Sequence, residues 1–179
     1  LAGANSAALD GVPSMDRAGN LYFVSTRSYE STLSTVYRGR FEGGVVTDVA
    51  LVPGISPRVF GILNFDVDIS PDGGTLYTVD GRFGPGGVET SDLLIARRAE
   101  GAFIRAADSA QILAQLNTPD LEYAASISAD GLTLLFTRLV FDTPPRSSIY
   151  VAQRESPTQP FAPAVRLVAL EGLVEDWTF

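Results

Sequence analysis

The sequence contains no cysteine, no histidine and no lysine, and all 13 of its basic residues are arginine. Without cysteine the chain has no disulfide, no thiolate nucleophile and no cysteine-based zinc site. Without histidine it lacks the most common general base and the commonest transition-metal ligand. Without lysine it has neither a Schiff base nor the lysine of a phosphate-binding loop. The side chains left for chemistry are carboxylates, hydroxyls and arginine.

Long apolar runs and excess positive charge are also missing. No stretch approaches the roughly 18 residues of a membrane-spanning helix, and residues 1–12 lack the basic start and apolar centre of a signal peptide. The net charge of −8 argues against nucleic acid as a partner, because an acidic surface repels phosphates. With 45% hydrophobic and 19% charged residues, the 179 residues predict one folded domain.

What the sequence does contain is an internal repeat of hairpin segments. Residues 13–27 (PSMDRAGNLYFVSTR), 68–82 (DISPDGGTLYTVDGR) and 126–138 (SISADGLTLLFTR) each predict a strand, a tight polar turn and a second strand. Asp-Gly pairs in the second and third copies are strong hairpin signals, since such turns need positive φ. The turn glycines are 54 and 58 residues apart, and the first copy is one residue shorter.

Two further strands are expected after each hairpin. The candidates are 34–41 with 45–52, 92–98 with 102–113, and 148–154 with 161–170. Four strands per repeat predict repeats at about 10–64, 65–121 and 122–174, with residues 175–179 (EDWTF) beginning the first strand of a fourth. Stretch 107–116 is ambiguous and also fits a short helix.

The apolar pattern favours an all-β propeller of about three four-stranded antiparallel blades. Residues 21–24 (LYFV) and 134–136 (LLF) are continuous apolar runs, as expected of strands covered on both faces. The middle strands of propeller blades pack against a neighbour on each side. An ordinary β-sandwich is the alternative, but sandwiches do not usually repeat one hairpin at near-constant spacing.

The hairpins also carry a family resemblance. Residues 69–77 (ISPDGGTLY) resemble the Ser-Pro-Asp-Gly hairpin of the TolB-like, WD-type propeller repeats, and 128–131 (SADG) and 15–20 (MDRAGN) resemble it less closely. Residues 148–152 (SIYVA) are similar to the third strand of that family. The resemblance covers residues 10–179 and implies a bacterial partner-binding or accessory propeller, periplasmic or secreted. It does not imply a particular ligand, because this fold hosts many functions.

Three blades do not close a ring, since propellers have roughly 4–8 blades. An arc of three would leave an apolar face bare at each end, which soluble monomers avoid. We therefore expect another protein chain, a second copy or a missing half of the protein to complete the ring.

Acidic residues recur near the start of each predicted first strand, with two aromatic residues beside them. If first strands line a central channel, these side chains could ring its mouth as a site for a cationic ligand, a sugar or calcium. The structural alternative is that they cap turns or pair with arginine, which clustered charges often do. The candidates are Asp10, Asp66, Asp68, Glu122, Glu175, Asp176, Tyr123 and Trp177.

An arginine follows each second strand, at Arg27, Arg82 and Arg138. A guanidinium can clamp an anionic ligand or a neighbouring carboxylate. One copy per repeat favours structural ion pairs.

No residue pattern indicates catalysis or a cofactor. No serine lies in a G-x-S-x-G elbow, and there is no histidine to activate one. The sequence therefore favours a non-catalytic binding or protein-interaction propeller that uses the channel mouth or rim loops such as 81–91 and 139–147. The alternative is the propeller portion of a carbohydrate-active or other hydrolytic enzyme. Its catalytic groups would be carboxylates, with Glu122, Glu175 and Asp176 as candidates, or would lie outside this chain.

Overall fold

The computed structural model describes residues 1–170, and the chain is all-β with short helices. Its strands form three successive groups of four, which we name units 1, 2 and 3. Within each unit, neighbouring strands pair antiparallel in chain order. Unit 1 contains β1 (Asp10–Met15), β2 (Asn20–Ser25), β3 (Val36–Glu42) and β4 (Val45–Leu51), with helix α1 (Tyr29–Thr32) between β2 and β3.

Units 2 and 3 follow the same plan. After the short strand β5 (Ile62–Leu63), unit 2 contains β6 (Val67–Ile69), β7 (Thr75–Gly84), β8 (Gly87–Ala99) and β9 (Ala102–Arg105). Helix α2 (Ser109–Ile112) leads to unit 3, with β10 (Leu121–Ile127), β11 (Thr133–Val140), β12 (Arg146–Gln153) and β13 (Val165–Arg166), and a 3₁₀ turn at Val168–Leu170. A single parallel pair, Leu121 with Ser91, joins the sheets of units 2 and 3.

Local hydrogen bonds explain why the hairpin motif turns where it does. The Oδ1 of Asp72 accepts hydrogen bonds from the Ser70 hydroxyl at 2.5 Å and from the Gly74 N–H at 2.9 Å. Gly73 has φ 72°, a conformation that glycine adopts without strain. Unit 3 repeats these contacts through Asp130. In unit 1 the shorter turn relies on Asp16, which accepts from the Asn20 N–H at 2.9 Å.

The apolar side chains of the second strands point alternately into two different cores. Leu76 packs in the core between units 1 and 2, and the next residue, Tyr77, packs in the core between units 2 and 3. The two side chains are 0% and 2% exposed. The apolar runs of β2 and β7 therefore mark strands that are covered on both faces, as the sequence indicates.

An arginine links each unit to the one before it. In unit 3, Arg154 donates from Nε to the Gly131 carbonyl at 2.8 Å and from Nη2 to the Tyr77 hydroxyl at 2.8 Å. Arg98 of unit 2 makes the equivalent bonds to Gly73 and to the Tyr22 hydroxyl of unit 1, at 2.9 Å and 2.6 Å. Each guanidinium also lies over a phenylalanine ring of its own unit.

The two outer faces differ, and the expectation that both are bare is wrong for unit 1. The N-terminal residues cover that face, because Ala2 forms a parallel bridge with Val45 and Ala4 joins a buried cluster with Phe23. On the outer face of unit 3, Leu135 is 39% exposed. The partner that we expect to cover this face stays a prediction.

Several strand predictions need correction. The strand expected over 102–113 ends at Arg105, and α2 follows, so the helical alternative for this stretch is correct in part. The strand expected over 161–170 shrinks to two residues, because a 3₁₀ turn takes its end. Strand 175–179 lies outside the described residues. Among the helices of residues 1–170, none is long and apolar enough to cross a membrane.

Candidate binding site

We define the top end of each unit as the end where its first strand begins. Asp10 at the start of β1 lies opposite Ser25 at the end of β2, and Glu122 in β10 lies opposite Arg138 in β11. Because the strands alternate in direction, the β2–β3 loop and the connection from unit 1 to unit 2 also lie at this end. The sequence-predicted acids and these two loops therefore belong to the same end of the fold.

Two of the predicted acids form ion pairs with arginine of their own unit. Arg27 donates from Nη2 to Asp10 at 2.8 Å, and Arg138 donates from Nε to Glu122 at 2.6 Å. Burial acts to raise the pKa of Asp10, but hydrogen bonds from Ser25, Arg27 and Ser6 outweigh it and hold the pKa well below its usual range. For Glu122, burial prevails over its bonds and raises the pKa. Both acids are committed to structural contacts.

Asp66 and Asp68 bind neighbouring first strands. The Oδ2 of Asp66 accepts the Ala124 N–H at 2.6 Å, and burial raises the pKa of this carboxyl to about 6. Asp68 accepts from the Ser14 hydroxyl at 2.6 Å and from the Ile127 N–H at 2.8 Å, so it joins the first strands of all three units. The strands β1, β6 and β10 do not pair with one another through their backbones, and these side-chain bonds join them instead.

In unit 2 the position that corresponds to Asp10 and Glu122 is occupied by Asn64. The predicted acids Asp66 and Asp68 lie two and four residues further along the chain. Asp10, Asn64 and Glu122 each lie nine residues before the turn glycine of their unit. Seven residues after the turn glycine, unit 3 has Arg138 and unit 2 has Asp80, which pairs with Arg105. Arg82 is exposed and has no ion pair with any residue from 1 to 170.

Of the remaining predicted residues, Tyr123 lies within the described part of the chain. The ring of Tyr123 lies 6.4 Å from that of Phe65, and its hydroxyl lies 3.2 Å from the Ser147 hydroxyl. In the described part of the chain, no three acidic residues come together in a way that could hold a metal ion. Glu175, Asp176 and Trp177 lie outside the described residues.

A cavity of about 400 Å³ opens at the top end between units 1 and 2. We call it the top cavity. One wall is the end of α1 with the residues after it, and the other is the connection that leaves β4. Its lining residues are Ser31, Thr32, Leu33, Ser34, Leu51, Val52, Pro53, Gly54, Ser56 and Arg58.

The buried amide of Asn64 holds the two walls of the top cavity in place. Its Oδ1 accepts the Ser56 hydroxyl at 2.7 Å, and its backbone carbonyl accepts the Thr35 hydroxyl at 2.6 Å. Its Nδ2 donates to the Val79 carbonyl at 3.0 Å and to Asp80 at 2.8 Å. Asn64 therefore connects both walls to the middle of β7, through its backbone carbonyl on one side and its side chain on the other, and the cavity is preformed by a satisfied network.

The lining of the top cavity combines apolar side chains, hydroxyls and one guanidinium. Leu51 and Val52 form an apolar patch, and Ser31 and Ser34 bring hydroxyls. Arg58 is exposed and makes no hydrogen bond or ion pair with residues 1–170. Sequence reasoning missed this site because the loops that build it do not recur. Counting nine residues back from each turn glycine would have found Asn64.

No family model matches the chain, and no curated protein matches it. A thermostable family-43 glycoside hydrolase is similar at 12% identity and a TM-score of 0.49, over 89% of this chain and 54% of that chain. A putative 6-phosphogluconolactonase from Bacteroides fragilis NCTC 9343 is similar at 13% identity and a TM-score of 0.41, over 88% of this chain and 38% of that chain. The chain spans about half of the first protein and about two fifths of the second.

Proposed function

We propose that units 1 to 3 are blades of a β-propeller and that the chain is a non-catalytic ligand-binding domain with its site in the top cavity. The observation that carries the proposal is the preformed cavity, whose walls are fixed by Asn64. Its volume of about 400 Å³ suits a small molecule. The repeated arginine contacts between units support the blade assignment, since each unit meets the next in the same way.

The contacts of the acids favour binding over hydrolysis. A carboxylate pair that cleaves a glycosidic bond needs one free carboxylate and one protonated acid facing the substrate. Asp10 and Glu122 instead face arginines, and no carboxylate of residues 1–170 lines the top cavity. Asp66 has the raised pKa of a general acid, but its side chain is used to bind the β10 backbone.

A cavity-blocking variant tests the proposed site. Ser31 is exposed on α1 and lines the top cavity, so Ser31→Trp places a large ring at its mouth. In a screen of small molecules by ¹⁵N–¹H NMR, we expect wild-type binders to shift the amides that line the cavity, and we expect Ser31→Trp to abolish those shifts. Thr158→Trp, also at an exposed hydroxyl residue, lies outside the cavity and should leave binding unchanged.

Two results would contradict the proposal. One is a screen in which no compound perturbs the cavity amides of the wild-type protein. The other is a set of binders whose shifts persist unchanged in Ser31→Trp, which would place the binding elsewhere on the surface.

A further inference from the structure

Arg58 stands out because most other arginines of the described residues have partners. Arg27, Arg97, Arg105, Arg138 and Arg146 form ion pairs with carboxylates. Arg58 has no such partner within residues 1–170, yet it lines the top cavity. In a chain of net charge −8, a guanidinium left without a carboxylate beside a cavity indicates a place for an external anion.

The rest of the lining agrees with an anion. The chain has 21 acidic residues, but among the described residues none of the ten that line the top cavity is acidic. A neighbouring cavity of about 200 Å³ differs, since Asp48 lines it together with Arg38 and Arg98. Of these two cavities, the top cavity is therefore the one that has an arginine and no acidic residue in its described lining.

The backbone adds a second observation at the same place. Arg58 has φ 56° and Leu33, on the opposite wall, has φ 51°. Residues other than glycine adopt this left-handed conformation at a cost in energy, and such residues cluster where a ligand is held. At Leu33 this conformation ends helix α1, whereas Arg58 lies in the connection after β4, away from any helix end of the described residues.

Charge and surface together narrow the class of ligand. One guanidinium balances one negative charge, and the lining offers no second cation for a dianionic phosphate ester. Leu33, Leu51, Val52 and Pro53 provide apolar surface for the rest of the molecule. We propose that the top cavity binds a small monocarboxylate with an apolar body, whose carboxylate is anchored by Arg58. This inference rests on the proposed function of the same cavity.

Benzoate and its neutral analogue benzamide are the probes for the test, with inorganic phosphate as a third. Titrations followed by ¹⁵N–¹H NMR should show that benzoate shifts the amides of the top cavity in a saturable way, while benzamide and phosphate bind more weakly. Arg58→Ala should raise the dissociation constant of benzoate about 10-fold, because a charge-assisted hydrogen bond at an exposed site is lost.

Arg82→Ala is the matched control, since Arg82 is also exposed, also lacks an ion pair in the described part of the chain, and lies outside the cavity. It changes the net charge by the same amount and should leave benzoate binding unchanged. If both variants lose benzoate affinity equally, the effect comes from the overall charge of the protein, and the inference is overturned.

The remaining outcomes separate the inference from the proposed function. If benzamide binds the cavity as tightly as benzoate, or if Arg58→Ala binds benzoate normally, the carboxylate site is refuted while ligand binding in the cavity stands. If neither benzoate, benzamide nor any compound of the wider screen shifts the cavity amides, the carboxylate site and the proposed ligand binding in the cavity are both refuted.

Discussion

Asp66 provides a sharp test of the contacts between units 2 and 3. The residue is 7% exposed and precedes β6. Its carboxyl accepts one hydrogen bond, from the Ala124 N–H at 2.6 Å. Burial raises the pKa to about 6 from 3.8, and the bond from Ala124 opposes this rise only in part. We expect Asp66→Asn to stabilise the protein at neutral pH, because asparagine keeps an oxygen for Ala124 and carries no charge.

The size and sign of this effect follow from the two pKa values. Between pH 3.8 and about 6 the folded protein holds a proton that the unfolded chain releases, so stability falls as pH rises through this window. A difference of about 2 pKa units corresponds to about 3 kcal/mol at pH 8. Below pH 3.8 the carboxyl is protonated in both states and its ionisation costs nothing. The variant should therefore gain about 3 kcal/mol over wild type at pH 8 and little at pH 3.5.

Urea unfolding of both proteins at half-unit steps from pH 3.5 to 8 measures this difference, since titrations common to both cancel. Asp130→Asn is the control with the opposite sign. Hydrogen bonds from Ser128 and Leu132 lower the pKa of Asp130, so its loss should destabilise the protein above the acidic range. A difference between Asp66→Asn and wild type that does not change with pH would refute the reasoning.

Two further predictions concern buried hydrogen bonds. Tyr77→Phe should reduce the free energy of unfolding by about 2 kcal/mol in urea melts, because Arg154 loses its partner in a buried site. Tyr22→Phe should reduce it by less, since Arg98 is more exposed than Arg154. Equal losses would contradict the role of burial. Asn64→Asp should cost about 2 kcal/mol at pH 7, because the two hydrogen bonds donated by Nδ2 are lost and a carboxylate faces Asp80. If the same urea melts show that part of this loss is recovered at pH 4, its cause is charge repulsion and not a packing defect.

The repeat of strands could be read from the sequence because its signals are local. An Asp-Gly turn fixes a hairpin through bonds within five residues, as at Asp72 and Asp130. The continuous apolar run at 21–24 is buried on both faces, whereas in the run at 134–136 Leu135 is exposed on the outer face of unit 3. Stretch 102–113 was predicted only in part because its apolar pattern fits a strand or a helix, and the chain turns after Arg105 to place Ile112 and Leu113 in the core.

The contacts between units could not be predicted, because they join residues far apart in the chain. Arg154 and Tyr77 are 77 residues apart, and nothing local marks either as a partner of the other. The predicted acids show the same limit. The sequence left two interpretations of the acids open, a ligand site at a channel mouth and ion pairs with arginine, and the structure pairs Asp10 with Arg27 and Glu122 with Arg138. Only register decides which charges meet.

The change from acid to amide at one repeated position accounts for where the cavity lies. In units 1 and 3 a carboxylate at this position can only accept bonds, and it takes them from arginine and from nearby hydroxyl and backbone groups. Asn64 both donates and accepts, so it can hold Asp80 on one side and Ser56 on the other. In the connection that follows β4, Ile55 is buried, whereas Arg58 and Phe60 are exposed. Between units 2 and 3 the corresponding connection carries α2, and Leu113 and Leu116 after it are buried in the core. The top cavity therefore exists where the repeat departs from its own pattern, and such a departure from regularity in an otherwise repetitive fold is where a specific function is expected.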